Sequence, residues 1–277
     1  YCGRCYYCSI GRPVLCDNMR VTMGNGTLLD GTCRLKKNGN PIHHMAGVSS
    51  FAQYAVIPEI SCIKIPDAVP LDRACLVGCG VMTGVGAAIN TAKVEPGSSA
   101  VVIGCGGVGL NVIQGCALAG AGTIIGVDLM DNKLEYAKQF GATHTINPSR
   151  QELVKTVRSL TEGRGADYAF EVIGLGKTIE QAYACARQGG TTIVVGAPSR
   201  EDTVTIPAST FMTEKVIKGS VYGSARPRVD MARLIDLYMN KKIKLDELVT
   251  RTYSLDEVNE AMAALERGEV ARSVVVM

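Results

Sequence analysis

The chain holds 277 residues, 47% hydrophobic and 20% charged, with a net charge of +3. That is enough apolar material for one large or two ordinary domains, and the charge is too small to point to nucleic acid or a membrane surface. Four Phe, ten Tyr and no Trp also argue against a base-stacking platform.

The first element is a cysteine cluster. Cys2, Cys5, Cys8 and Cys16 have the spacing C-x2-C-x2-C-x7-C. Four thiolates close a tetrahedral shell around Zn²⁺ and leave no position open for substrate, so such a site is structural and staples a loop lobe. The rivals are an iron–sulfur cluster and two disulfides. Ferredoxin-type runs place Pro after the last Cys, whereas Asp17 follows Cys16. The cysteines total eleven, an odd number, and the other seven lie scattered. Free thiols plus one metal cluster suit a reducing, cytoplasmic setting better than a disulfide scaffold.

Residues 17–70 are rich in Gly, Pro and β-branched residues and predict an irregular β lobe, with a short strand at Gln53 to Ile57. Gly97 to Val127 carries no charge over 31 residues, long enough to mimic a membrane span, but nine of these are glycine. A strand–turn–helix–strand unit explains the stretch better. Ser99 to Ile103 predicts a buried strand, Leu110 to Leu118 a helix and Thr123 to Val127 a second strand. Between the first strand and the helix lies Gly104-Cys105-Gly106-Gly107-Val108-Gly109, a G-x-G-x-x-G, and Asp128 follows the second strand. Gly104 permits the tight turn, Gly106 the approach of a pyrophosphate, and Gly109 close packing of helix on sheet, while the helix N-terminus offers N–H groups to phosphate. Asp128 would bond the ribose hydroxyls and repel a 2′-phosphate, which favours NAD over NADP. Lys133 reaches the same ribose or is a solvated helix lysine.

The alternation continues with helices predicted at Glu135 to Phe140, Gln151 to Leu160 and Ile179 to Ala186. Strands are predicted at Thr143 to Ile146, Ala166 to Ile173, Thr191 to Val195 and Val216 to Val221. The βαβ rhythm implies a doubly wound parallel sheet whose strand ends carry the ligand. Ile173 and Val195 stand at such ends and read as cofactor contacts or as packing. Helices at Arg228 to Met239 and Asp256 to Arg267 and a strand at Ser273 to Met277 complete the chain.

This combination resembles the zinc-dependent medium-chain alcohol dehydrogenases across nearly the whole chain, and within them the class III, glutathione-dependent formaldehyde dehydrogenase branch. The resemblance rests on the four-cysteine lobe, SSFAQYAVIPEISCIKIP (Ser49 to Pro66), GCGVMTGV (Gly78 to Val85), the glycine turn, Gly126 to Asn147, FEVIG (Phe170 to Gly174) and VVGA (Val194 to Ala197). It implies an α/β fold: a Rossmann doubly wound parallel sheet plus a partial GroES-like β-rich catalytic domain. The implied boundaries are 1–80 for the catalytic domain with its zinc lobe, 81–222 for the NAD-binding domain, and 223–277 for a return to the catalytic domain. By the same resemblance Cys79 ligates the catalytic zinc and Thr83 contacts the nicotinamide. Asp128 and Lys133 hold the adenosine ribose, backbone at Val195, Ser220 and Tyr222 holds the carboxamide end, and Arg272 pairs with the pyrophosphate. Met45 and Ala46 face substrate, and Arg20 either pairs with a substrate carboxylate or is a surface arginine.

The implied activity is zinc- and NAD-dependent oxidation of a primary alcohol, or of a hydroxymethyl thiol adduct, to the aldehyde level. The family's other catalytic zinc ligands include a histidine in a Gly-His-Glu motif, which this sequence lacks. Its histidines are His43, His44 and His144. His43 and His44 match a structural pair, and His144 belongs to the Rossmann unit. The chain starts at Tyr1, and the expectation is an N-terminally incomplete sequence that binds NAD without turning over alcohol. The alternative is a zinc-stapled NAD-binding protein without catalysis. A small-molecule alcohol or aldehyde is the expected partner, without nucleic acid or membrane, in a homodimer or homotetramer paired through Val216 to Val221.

Overall fold

Short, largely apolar strands can lie side by side in parallel when helices bury both faces of the sheet, and six do so here. The computed structural model describes residues 1–277, apart from the Arg20 side chain. Ahead of the sheet come α1 (Tyr6–Ser9), a hairpin of β1 (Leu35–Lys37) and β2 (Asn40–Ile42), and a continuous helical run over Leu71–Ala92. That run contains α2 (Leu71–Leu76) and α3 (Met82–Gly86), with π-turns at Val77–Val81 and Ala87–Ala92. Then follow β3 (Ser99–Ile103), α4 (Gly107–Leu118), β4 (Thr123–Val127), α5 (Asp131–Gln139), β5 (His144–Ile146) and α6 (Leu153–Leu160). The unit continues with β6 (Ala166–Glu171), α7 (Gly176–Cys185), β7 (Ala186–Val194) and β8 (Val216–Gly219). The chain ends with α8 (Pro227–Met239), β9 (Val249–Ser254), α9 (Val258–Glu266) and β10 (Arg272–Val276).

The sheet order is β5-β4-β3-β6-β7-β8, every pair parallel. The direction of winding reverses between β3 and β6, which puts a crevice at their carboxyl ends. Ala100, Val101 and Val102 of β3 are wholly buried; each fully buried Val contributes roughly 1.5–3 kcal/mol. Helix α4 is mostly apolar and buries eight of its twelve residues, with Asn111 and Gln114 the polar ones among them. It crosses α3 at close range: a Cβ on Gly115 would meet Val85 Cα at 3.0 Å. The Leu71–Ala92 run is long and apolar enough to span a membrane, and over half of its apolar 18-residue window is buried inside this fold.

The charge-free stretch Gly97 to Val127 resolves into β3, α4 and β4, as expected. Other boundaries move. Helix α4 starts at Gly107, because its first turn is built of glycines that carry no periodicity. Helix α5 starts at Asp131, whose carboxylate accepts from Asn147 Nδ2 at 3.0 Å and pairs with Arg150 at 2.7 Å. Strand β7 begins at Ala186, five residues early, because a register shift in its pairing with β6 lets Ala186 face Ala166. Gln53 to Ile57 is not a strand: Tyr54 is 92% exposed, and no strand lies beside it to take its hydrogen bonds.

The expected division at 80/81 falls inside the Leu71–Ala92 run, so Cys79 and Thr83 ride on one element. Leu234, Ile235, Leu245 and Leu248 join the sheet domain's core, whereas Tyr253, Ala261, Ala264 and Val270 form a separate small core under the parallel pair β9–β10.

Candidate active site and metal centre

The four N-terminal thiols converge. Sγ atoms of Cys2, Cys5, Cys8 and Cys16 lie within 4.8 Å of one another. A tetrahedron with Zn–S bonds of about 2.3 Å needs sulfurs roughly 3.8 Å apart, so the set fits one zinc ion. Backbone N–H groups already aim at these sulfurs: Cys2 N donates to Cys16 Sγ at 3.2 Å and Cys5 N to Cys2 Sγ at 3.3 Å. Without a cation the thiols titrate apart. The Arg4 N–H holds Cys2 down to about 6, whereas burial, joined by the neighbouring thiols, pushes Cys8 up to about 11. A divalent cation would stabilise all four thiolates together.

The glycine turn forms a cradle at the β3–α4 junction. Gly104 has φ +97°, and a Cβ there would meet Ile173 at 2.7 Å. A Cβ on Gly109 would overlap the Gly104 carbonyl oxygen, which accounts for the third glycine of the motif. Gly106, the N-cap of α4, faces open space, with no heavy atom within 4 Å of an added Cβ. That gap borders the free N–H groups of Gly107, Val108 and Gly109, where an anionic diphosphate fits. Arg272 leans over the same place. A Cβ on Gly107 would overlap its guanidinium, and one on Gly80 would lie 2.6 Å from its Nη2. Arg272 has no ion pair among the described residues, so its charge is available to phosphate.

At the other end, Asp128 accepts Cys105 N–H on Oδ2 at 2.9 Å and Met130 N–H on Oδ1 at 3.0 Å. These bonds orient the carboxylate and leave lone pairs on both oxygens for hydroxyl donors. Lys133 borders a small cleft with Gly106, Gly268 and Ala271, and its Nζ has no acidic partner among the described residues. The residues present therefore fit a dinucleotide.

Cys79 sits exposed on the π-turn Val77–Val81, and Thr83 follows on α3, one helical turn on. π-Turns recur at functional sites because they re-aim side chains. Tyr222 fixes this turn by donating from its hydroxyl to Gly78 O at 2.7 Å, and burial, with Cys79 nearby, pushes the phenol up to about 12. Val195 N–H bonds Glu171 O at 2.8 Å and Ser220 N–H bonds Val194 O at 2.8 Å, so these two amides are committed within the protein. The Ser220 hydroxyl is buried against Thr91 Oγ1 at 2.8 Å, and Ile173 is half exposed above the turn. Cys79 belongs to no group of three metal-ligating side chains among the described residues.

Met45 is 79% exposed, and Ala46 beside it has φ +55°, an uncommon left-handed conformation for alanine. The Arg20 side chain lies outside the described residues. The expected structural histidine pair divides in two. His44 is buried and its Nε2 accepts Arg34 N–H at 2.9 Å, whereas His43 is exposed. The other six cysteines divide as well: Cys105, Cys116 and Cys185 are buried, Cys33 is half-buried, and Cys62 in a loop and Cys75 on α2 are exposed.

Sequence reasoning passed over Glu171, a fully buried carboxylate at the end of β6. Its Oε1 accepts Ile173 N–H at 2.8 Å, Gly174 N–H at 2.7 Å and the Thr178 hydroxyl at 2.7 Å. Its backbone oxygen takes Val195 and Gly196 N–H, and Oε2 has no partner. One residue thus ties together the two strand ends beside the crevice. An acid inside an apolar strand was the available signal.

Comparison with known proteins gives three findings. A family model described as zinc-binding dehydrogenase matches residues 107–240. The S-(hydroxymethyl)glutathione dehydrogenase of Paracoccus denitrificans is 44% identical over 99% of this chain and 76% of its own length, and the class-3 alcohol dehydrogenase of Cereibacter sphaeroides is 45% identical over the same shares. A solved alcohol dehydrogenase zinc-binding domain protein from Burkholderia ambifaria superposes with a TM-score of 0.94 at 34% identity, over 100% of this chain and 75% of that one.

Proposed function

Because this chain belongs to the zinc-binding dehydrogenase family, we propose that it serves the NAD-dependent oxidation of a primary alcohol, or of a hydroxymethyl thiol adduct such as that named for its relative, to the aldehyde level. The observation that carries this reading is the cradle itself: open space at Gly106, the oriented carboxylate of Asp128 at one end, and unpaired Arg272 spanning Gly107 and Gly80 at the other. Arg272 thereby links the phosphate turn to the segment that bears Cys79.

NAD, when bound, accepts the hydride from the carbinol carbon. The chain's own residues bind and orient. Asp128 accepts from both ribose hydroxyls and repels a 2′-phosphate, with Lys133 beside it. The α4 N-terminus and Arg272 neutralise the diphosphate. Thr83 and Ile173 flank the nicotinamide, with backbone at Val195, Ser220 and Tyr222 around the carboxamide. Met45, Ala46 and Arg20 belong to the substrate side. Zinc at Cys2, Cys5, Cys8 and Cys16 holds the lobe. Cys79 offers one thiolate to a catalytic zinc, but the described residues place no further ligands beside it, so that metal does not fit this donor set alone. Strand β8 is the sheet's edge, with Val216 46% exposed, which supports pairing into a homodimer or homotetramer. With four cysteines assigned to zinc and no disulfide among the described residues, the cysteine usage supports a cytoplasmic setting.

The missing neighbours of Cys79 favour one second reading, a zinc-stapled NAD-binding protein without turnover. Metal content and rate separate the two. Two zincs per chain in the full-length gene product, with NADH formed from NAD, formaldehyde and glutathione and lost in Cys79→Ser while NADH affinity holds, support the dehydrogenase. One zinc per chain and no NADH above the Cys79→Ser background support the binding protein.

A further inference from the structure

The amino ends of the parallel strands face away from the cofactor crevice, and a second concavity lies there. A cavity of about 690 Å³ opens at the starts of β6, β7 and β8. Four cations line it: Arg158 near the end of α6, Arg164 in the turn before β6, Arg187 on β7 and Lys215 just ahead of β8. One acid faces them, Asp167, and it is already engaged. Its Oδ1 accepts Arg187 Nε at 2.6 Å, and its Oδ2 accepts the Ser99 N–H at 2.7 Å and hydroxyl at 2.6 Å. Arg164 pairs with Glu162 at 2.9 Å.

Arg158 and Lys215 have no acidic partner among the described residues. Lys215 donates to Tyr183 O at 2.8 Å and sits 4.7 Å from the Tyr183 ring centre. Burial, and then the charge of Arg158, pull its amine below the usual lysine range. Like charges held together in a partly desolvated concavity repel one another, and a bound anion relieves that repulsion while taking charge-assisted hydrogen bonds. Guanidinium forks from two elements and an ammonium from a third suit the several oxygens of a phosphate better than a single carboxylate.

We propose that this cavity binds a phosphate-class oxyanion through Arg158, Arg164 and Lys215, as a site separate from the dinucleotide cradle. The cradle lies at the carboxyl ends of the strands and this cavity at their amino ends, so both can be filled together.

Calorimetry with pyrophosphate on protein already saturated with NAD tests the proposal. The expected result is one site per chain, weakened about tenfold in Arg158→Gln and again in Lys215→Gln, with NADH affinity unchanged. Should Lys215→Gln fail to fold, Arg164→Gln, at an exposed side chain, takes its place. Ribose 5-phosphate in a parallel titration distinguishes a sugar ester from a bare phosphate, and either binding tightly at these residues supports the site. No heat up to millimolar pyrophosphate, loss of binding once NAD saturates, or equal affinity in the variants would overturn it.

Discussion

The lobe before the helical run and the sheet domain after it hold their shape by different means. In the first 66 residues only Val14, Cys16, Leu28, His44 and Gly47 are buried, Arg20 aside. In the sheet domain β3 alone buries four of its five residues and α4 eight of its twelve. The lobe has too little apolar area removed from water to offset its chain entropy, so a covalent-strength staple has to supply the difference. The sheet domain needs none, and its interior is free to be shaped around a ligand.

Metal removal is the widest test of that contrast. Structural zinc contributes apparent binding energies of about 10–16 kcal/mol to small domains. A strong chelator, or Cys16→Ser, is expected to strip amide-exchange protection from residues 1–47 while β3 to β8 keep theirs. Thiol titration of the chelated protein should release four additional reactive groups. Protection that survives zinc removal in the lobe would show that packing, not metal, holds it.

Within the sheet domain the glycine turn offers a finer comparison. A Cβ at Gly109 overlaps the Gly104 carbonyl, whereas one at Gly106 enters open space. Gly109→Ala is expected to cost about 1–3 kcal/mol by overpacking, a fall in melting temperature of roughly 2–4 °C per kcal/mol for a chain of this size. Gly106→Ala should melt like the parent and yet bind NADH more weakly, because its methyl group occupies the phosphate's space. Equal stability losses in the two variants would sink the distinction between a packing glycine and a binding glycine.

That distinction also explains what could be read from the chain alone. Spacing fixes Cys2, Cys5, Cys8 and Cys16 as a unit, since four ligands along 15 residues of loop have few other uses. The turn from Gly104 to Gly109 and the acid at Asp128 are equally local, as are the buried apolar runs of β3 and β4. What stayed illegible depends on partners distant in sequence. Arg272 meets Gly107 only because the chain folds back so that β10, paired with β9 outside the six-stranded sheet, starts beside the glycine turn, and Tyr222 meets Gly78 across 144 positions. Glu171 falls inside the strand predicted over Ala166 to Ile173, and nothing local shows that Ile173, Gly174 and Thr178 turn back onto it. Gln53 to Ile57 has strand composition without a neighbour, and composition does not report neighbours.

The smallest expected effect lies on the sheet's amino edge. Burial alone would raise the Asp167 carboxyl, but the Ser99 hydroxyl and N–H and the Arg187 guanidinium outweigh it and hold the group below the usual carboxylate range. A folded-state value below the unfolded one, about 3.9, stabilises the protein above that pH and ceases to do so as pH falls through the folded value. Asp167→Asn keeps an acceptor for Ser99 and removes the charge that faces Arg187. The expected cost at pH 7 is about 1 kcal/mol, because the pair is part-exposed and screened. Urea midpoints of the parent and the variant should therefore differ at pH 7 and converge as the pH is lowered below 4. A gap that persists undiminished at low pH would assign the role of Asp167 to shape rather than charge.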